Sequence, residues 1–212
     1  MHFEILVEDS SGTKLLAHLM PKFVGPYDSP HRWTLRSYGG IGHIPKNLAN
    51  DRFPGNRGLL ANLPKLLQGY ARTPGYESVI VVCDSDRRDC KTFLRELRRV
   101  ATEAKAEAIT MFRLAIEETE AWYLGDHKAL LTAFPNAKKR LLNKYKQDSI
   151  CRTWERLADI VHPGGSAAVV HPGNLKHEWA NRIGPLMDPD RNCSPSFGKL
   201  RDGLRRLATQ AS

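Results

Sequence analysis

Three short acidic clusters in this 212-residue chain have the residue types and placement to hold a hard cation. Each follows an apolar run: Glu8-Asp9 after Leu6-Val7, Asp84-Ser85-Asp86 after Val81-Val82-Cys83, and Glu117-Glu118-Thr119-Glu120 after Ala115-Ile116. If those runs are parallel strands, their ends meet on one sheet edge, which is where open α/β sheets bind ligands. Converging carboxylates repel one another without a counter-charge, and their oxygens are the ligands that Mg²⁺ or Mn²⁺ prefers. Metals held this way support in-line attack at phosphorus. In Asp84-x-Asp86 the first acid ends the strand, and the second can swing back from the loop. Acids after strands also have a plainer use, solvating the turn and capping the next helix. Asp9, Asp89 and Glu118 are the candidates for that.

The elements that must position these acids are legible in the hydropathy pattern. Residues 2–7 read as a strand, with Phe3, Ile5 and Val7 alternating and Leu6 also apolar. A helix is expected over about 13–23, with Leu15, Leu16, Leu19 and Met20 on one face and Ser10 or Ser11 as N-cap. Residues 32–37 are a weaker strand, closed by Gly39-Gly40-Ile41-Gly42. Leu59, Leu60, Leu63, Leu66, Leu67 and Tyr70 have helical spacing, which Pro64 interrupts. Residues 78–83 form a continuous apolar run, the mark of a central strand buried on both faces. An amphipathic helix over 90–106 and a strand over 109–116 follow. Strand and helix alternate to this point, so a parallel α/β sheet is expected. The remainder reads as helices over 121–124, 128–134, 151–160, 175–187 and 197–208, with breaks at Pro163-Gly164-Gly165 and Pro172-Gly173. The expected division is an α/β core over 1–125 and a helical extension, packed on it, over 126–212.

Composition narrows the class. Hydrophobic residues at 41% and charged residues at 26% suit a globular chain rather than a disordered or fibrous one. The 32 Lys+Arg against 23 Asp+Glu give a net charge of +9, which favours a polyanionic partner. No run of about 18 apolar residues exists, so no membrane partner is expected. Acids at positions 4, 8 and 9 come too early for a signal peptide. Cys83, Cys90, Cys151 and Cys193 form no CxxC pair, and they read as reduced thiols of a cytoplasmic protein. No phosphate-binding P-loop, Gly-x-Ser-x-Gly or dinucleotide fingerprint occurs, so ATP hydrolysis by the chain itself is not expected.

Basic residues supply candidates for gripping nucleic acid. Arg87 and Arg88 adjoin the Asp-x-Asp and could clamp a phosphate. Lys138, Lys139 and Arg140, with Lys144, Tyr145 and Lys146 beyond them, form the densest basic run. Arg95, Arg98 and Arg99 share a helix with Glu96 and Glu103 and read as a solvated face. Trp122 reads as a core anchor. Ser194-Pro195-Ser196-Phe197 starts the last helix, whose N-terminus is a secondary candidate for phosphate. His162, His171 and His177 have no metal-ligand spacing.

These features resemble a known fold. Glu8 after a first strand and Asp84-x-Asp86 after a later one are similar to the Toprim fold of topoisomerases, primases and overcoming-lysogenization-defect nucleases. The closer resemblance, spanning almost the whole chain, is to the Toprim-like bacterial domain-of-unknown-function family 4276. It is carried by Leu6-Val7-Glu8, residues 52–70, residues 81–90, Glu117-Glu118-Thr119-Glu120-Ala121-Trp122 and residues 187–197, including Ser194-Pro195-Ser196-Phe197. The resemblance implies a four-stranded parallel Toprim-like, Rossmann-like sheet flanked by helices. It implies Glu8 as general acid/base, Asp84 and Asp86 as holders of Mg²⁺ or Mn²⁺, and Glu117 or Glu120 near the same site. One departure is the loop after the second strand, where the family often has a Gly-Lys-Gly-like element. Here it reads Gly39-Gly40-Ile41-Gly42-His43, leaving His43 or Lys46 to meet a phosphate. No zinc ribbon or nucleophilic-tyrosine domain accompanies the motifs, which argues against primase and topoisomerase. The implied function is a metal-dependent nuclease acting on DNA or RNA, an effector in bacterial anti-phage defence. The alternative is a catalytically weak nucleic-acid-binding or regulatory subunit that works with a partner ATPase. A phosphatase built on Asp-x-Asp is disfavoured, because the motif follows a late strand and lacks the downstream Lys/Asp pattern.

Overall fold

The computed structural model describes residues 1–45, 58–149 and 152–210. Lys46 and Cys151 lie outside the described residues, as do positions 52–57 of the stretch 52–70. Four strands, β1 (His2–Val7), β2 (Arg32–Ser37), β3 (Ser78–Asp84) and β4 (Thr110–Ala115), form one parallel sheet in the order β2-β1-β3-β4. This is a Rossmann-like α/β arrangement. Its registers, Val7 beside Val82 and Asp84 beside Ala115, bring the carboxyl ends of β1, β3 and β4 to one edge.

The alternation in β1 sorts its side chains between two helical layers. Phe3, Ile5 and Val7 face a cluster built from α1 (Ser10–Val24) and the helices of the second half. Leu6 joins Val79, Val81 and the inner faces of α2 (Leu59–Arg72) and α3 (Cys90–Glu103). β3 is buried on both faces, as its unbroken apolar run requires. α2 continues through Pro64, because the buried stripe of Leu59, Leu60, Leu63 and Leu67 outweighs the hydrogen bond that proline cannot donate. On the same side, Glu4 is fully buried in mid-strand. It accepts hydrogen bonds from Tyr70 Oη at 2.9 Å and from Arg36, with His2 Nε2 at 3.3 Å. This network ties the outer strand β2 and helix α2 to β1.

After β4 come α4 (Glu120–Leu124), α5 (His127–Ala133), α6 (Lys139–Leu142), α7 (Thr153–Val161), α8 (Pro172–Ile183) and α9 (Pro195–Gln210). α8 starts at Pro172, which the sequence presents as a break. Proline is favoured in a first helical turn, where its missing N–H costs nothing. Trp122, Leu130, Leu157, Trp179 and Phe197 share one apolar cluster with Phe3, Ile5 and α1, so the second half packs directly on the sheet. Trp122 is fully buried, as expected of a core anchor, and donates its indole N–H to Ser196 Oγ at 3.0 Å. Asp126, also fully buried, accepts two hydrogen bonds from Arg191, each at 2.9 Å, and one from Asp188 N at 2.8 Å. The α5 start is thereby pinned to the loop before α9. Among the described residues no helix is long and apolar enough to cross a membrane.

Candidate functional site: an acidic sheet edge with a built-in lysine

Backbone hydrogen bonds fasten the ends of β3 and β4 together beyond the regular ladder. Ser85 N donates to Ala115 O and Asp86 N to Glu117 O, both at 2.9 Å, while the buried Ser85 hydroxyl accepts from Glu117 N at 2.8 Å. Asp86 and Glu117 both adopt left-handed backbone, with φ of 46° and 58°. Non-glycine residues hold that conformation only where their surroundings impose it.

Glu8 and Asp84 are the centre of this edge. Glu8 Oε2 lies 3.4 Å from Asp84 N, and Asp84 Oδ1 accepts from Thr119 N at 3.0 Å. Burial, then the charges of Asp86 and Asp9, push the Glu8 carboxyl up to about 7, against a partial offset from the Asp84 N–H. Asp84 is driven well above the carboxylate range by burial first, then by Glu8 and Glu120. Two neighbouring acids, both resisting ionisation chiefly because they are buried and secondarily because other carboxylates stand near, form the electrostatic pattern of a site suited to a cation or a proton.

The chain supplies one cation itself. Lys176, on α8, contacts Glu118 Oε1 at 3.1 Å and the fully buried Glu120 Oε2 at 3.2 Å. Burial alone would lower the ammonium, but Glu120, Glu118 and Asp84 outweigh it and hold the lysine firmly charged. Glu120 still rises to about 7, through burial and the charge of Glu118. The motifs at the strand ends do not include Lys176. Its signal was the helical stripe it interrupts, since Lys176 shares the spacing of the buried Trp179, Ala180 and Ile183. A lysine on a buried stripe needs a partner. Tyr123, buried beside the same cluster, is also held protonated by burial and by Glu120, Asp9 and Asp84.

Other acids serve the frame. Asp9, rather than Ser10 or Ser11, caps α1 by accepting from Gly12 N at 2.7 Å, and Asp89 caps α3 through Thr92 N at 2.9 Å. Glu118 accepts from Trp154 N at 2.9 Å in addition to Lys176. Glu117, expected as a metal ligand, is turned toward the start of α7. There it accepts from Arg152 N at 2.8 Å, from Thr153 N at 2.6 Å and from the Thr153 hydroxyl. Those bonds occupy both carboxylate oxygens, because the left-handed turn at Glu117 aims the side chain at α7. Asp86 is exposed and paired with Arg88 at 2.8 Å, and Arg88 also lies over the Phe93 ring. Any role for Arg88 in clamping phosphate therefore competes with Asp86. Arg87 is exposed, as are Lys138, Lys139 and Arg140 on and before α6. His43 is exposed on the loop after β2, whose Gly40 N donates to Glu8 O at 3.2 Å. The N-terminus of α9 is filled from within the chain: Asp148 accepts from Ser196 N at 2.6 Å and from Ser194 Oγ at 2.7 Å.

The donor set suits a hard divalent cation. Glu8 and Asp84 offer carboxylate oxygens whose charged forms are disfavoured by burial first and by neighbouring acids second, so a divalent cation would relieve them. Among the described residues no three acid, histidine or cysteine side chains form a ready-made cage. Comparison of the chain with family models, curated proteins and solved structures gave no match.

Proposed function

We propose that this chain is a metal-dependent, Toprim-like nuclease that hydrolyses phosphodiester bonds in DNA or RNA, an effector of bacterial anti-phage defence. The observation that carries the reading is the pair Glu8 and Asp84, which end adjacent parallel strands and meet at one sheet edge, where burial and nearby acids raise both carboxyls. Their resemblance to Toprim acids rests on the residues themselves. Glu8 and Asp84, with Asp86 swinging in from its loop, would hold Mg²⁺ or Mn²⁺. The metal would supply Lewis-acid polarisation of the phosphate and acidify a bound water. Glu8, with its carboxyl at about 7, is matched to giving and taking a proton at neutral pH. Lys176 keeps a fixed positive charge beside the acids, of use to a phosphate whose negative charge grows in the transition state. Glu120 holds that lysine in place and is a positioning residue in this reading.

The test is a panel of labelled DNA, RNA and tRNA incubated with Mg²⁺ or Mn²⁺. Cleavage should vanish in Asp84→Asn and in Asp86→Asn, and activity that survives both substitutions overturns the assignment. The alternative is a nucleic-acid-binding or regulatory subunit of an ATPase from the same operon. It draws on the ion pairs Asp86–Arg88 and Glu118–Lys176, which leave the acids partly neutralised within the chain. Cleavage that appears only in the co-purified complex would favour that reading.

A further inference from the structure

β4 is an outer strand, and along its free edge two cavities of about 460 and 450 Å³ run together between α3 and α9. Both are lined by Arg98 from α3, Arg113 from β4 and Arg206 from α9. Three cations from three elements thus converge on one concave strip. Among the described residues, no carboxylate lies within ion-pair distance of any of them. The acids that reach the strip are engaged elsewhere or stand at its far end. Asp202 pairs with Arg201 at 2.7 Å, Asp148 caps α9, Glu77 accepts from His2 N, and Glu107 sits at the mouth near the start of β4. Arg113 is half-buried and pulled below the usual arginine value by burial, then by Arg206 and Arg98. Like charges crowded in a concavity are relieved by an anion.

The strip also has a direction. At one end it reaches Ile116, just past the carboxyl end of β4, where Ala115 lies beside Asp84 of the acidic edge. At the other it reaches Ser78 and Thr110, where β3 and β4 begin. A six-residue strand spans about 20 Å, room for several consecutive phosphates. The frame of the strip is fixed. Arg113 donates to Lys199 O at 2.8 Å and to Phe112 O at 2.7 Å, and a Cβ at Gly203 would collide with the Arg113 guanidinium and the Met111 sulfur. Because Phe112 O is already taken, an added peptide strand would have to displace Arg113 to pair there. That disfavours a peptide and leaves a phosphate chain as the occupant that charge selects.

We infer that the arginine groove on the free edge of β4 binds the phosphate backbone of a single-stranded nucleic acid and leads it to the acidic edge. The identity of the strand rests on the nuclease reading, whereas the existence of the anion groove rests on the three arginines.

The experiment measures fluorescence anisotropy of a labelled oligothymidylate of about 12 nucleotides with the full chain in EDTA, across a salt series. Arg98→Gln/Arg206→Gln should weaken binding by about 10-fold or more and lower the salt slope by about 1.4, two contacts at about 0.7 each. Arg72→Gln/Lys128→Gln removes the same charge from exposed positions on α2 and α5 and should leave the slope near wild type. Equal loss in the two double variants would overturn the groove, since net charge would then explain the binding. So would competition by inorganic phosphate or a mononucleotide as effective, per phosphate, as competition by the oligonucleotide. The two proposals fail separately. Groove-dependent binding by a chain that cleaves nothing retires the nuclease, and wild-type cleavage and KM in Arg98→Gln/Arg206→Gln retire the groove.

Discussion

Replacing Glu8 with Gln should stabilise the protein, and should do so more at alkaline than at acidic pH. The Glu8 carboxyl stands at about 7 in the folded chain against an ordinary 4.5, so the folded state keeps its proton over a range where the unfolded chain has lost it. The unfolded state then binds fewer protons between those values, and stability falls as pH rises from about 4.5 to about 7 before levelling off. The difference, about 7 − 4.5 = 2.5 pH units at about 1.4 kcal/mol each, amounts to about 3 kcal/mol. Glutamine has the shape of the protonated acid and can still accept from Asp84 N, so Glu8→Gln escapes this penalty. Integration over the two titrations gives a gain of about 1 kcal/mol at pH 5 and about 3 kcal/mol at pH 8. Urea unfolding followed by circular dichroism, in EDTA at both pH values, measures it. A variant no more stable than wild type at pH 8, or one with the same gain at both pH values, would refute the claim that burial and neighbouring acids strain Glu8. The same variant should lose cleavage, separating a residue kept for chemistry from one kept for stability.

Lys176→Met leaves the buried Glu120 and the partly buried Glu118 without their cation, and should cost about 3–5 kcal/mol at pH 8 by urea unfolding. Adding Glu120→Gln to that variant should recover much of the loss, and no recovery would place the cost in packing instead. Glu117→Ala removes the acceptor of the α7 start and should lower stability by about 1–3 kcal/mol in metal-free buffer, with cleavage retained well below the melting temperature. Full stability with abolished cleavage would return Glu117 to the metal site. Mn²⁺ at about 100 times its Kd should stabilise the wild type by about 2.7 kcal/mol in thermal unfolding, and should have little effect on Asp84→Asn. Equal stabilisation of both would place the ion elsewhere.

Much of the frame was written into the linear pattern. Continuous apolarity in Val79 to Cys83 identifies a strand buried on both faces, and the alternation of strand with helix through residue 116 identifies a parallel sheet. Three acid-ended strands then place Glu8, Asp84 and the 117–120 cluster on one edge, because parallel strands share the direction of their ends. Asp89, directly before its helix, was legible as a solvating or capping acid, whereas the α1 cap, expected at Ser10 or Ser11, falls one residue earlier on Asp9. The α8 start was hidden because Pro172-Gly173 breaks a helix interior and opens a helix equally well.

What distance in the chain conceals, only the packing decided. Lys176 reaches Glu118 and Glu120 across more than fifty residues, because α8 packs on α1 and brings a lysine on its buried stripe to the sheet edge. Glu117 and Glu120 are alike in sequence, yet a left-handed turn commits one to the α7 start while burial beside Lys176 commits the other to the acidic cluster. Arg98 looked like one member of a solvated face with Arg95 and Arg99. It faces Arg113 and Arg206 only because β4 is the outer strand and α3 and α9 flank it. Residue type and short spacing determined which groups can carry charge and which strand ends they occupy. The long-range folding of the second half over the sheet decided which of those charges are neutralised, which remain in conflict, and so where an ion or a phosphate chain has something to gain by binding.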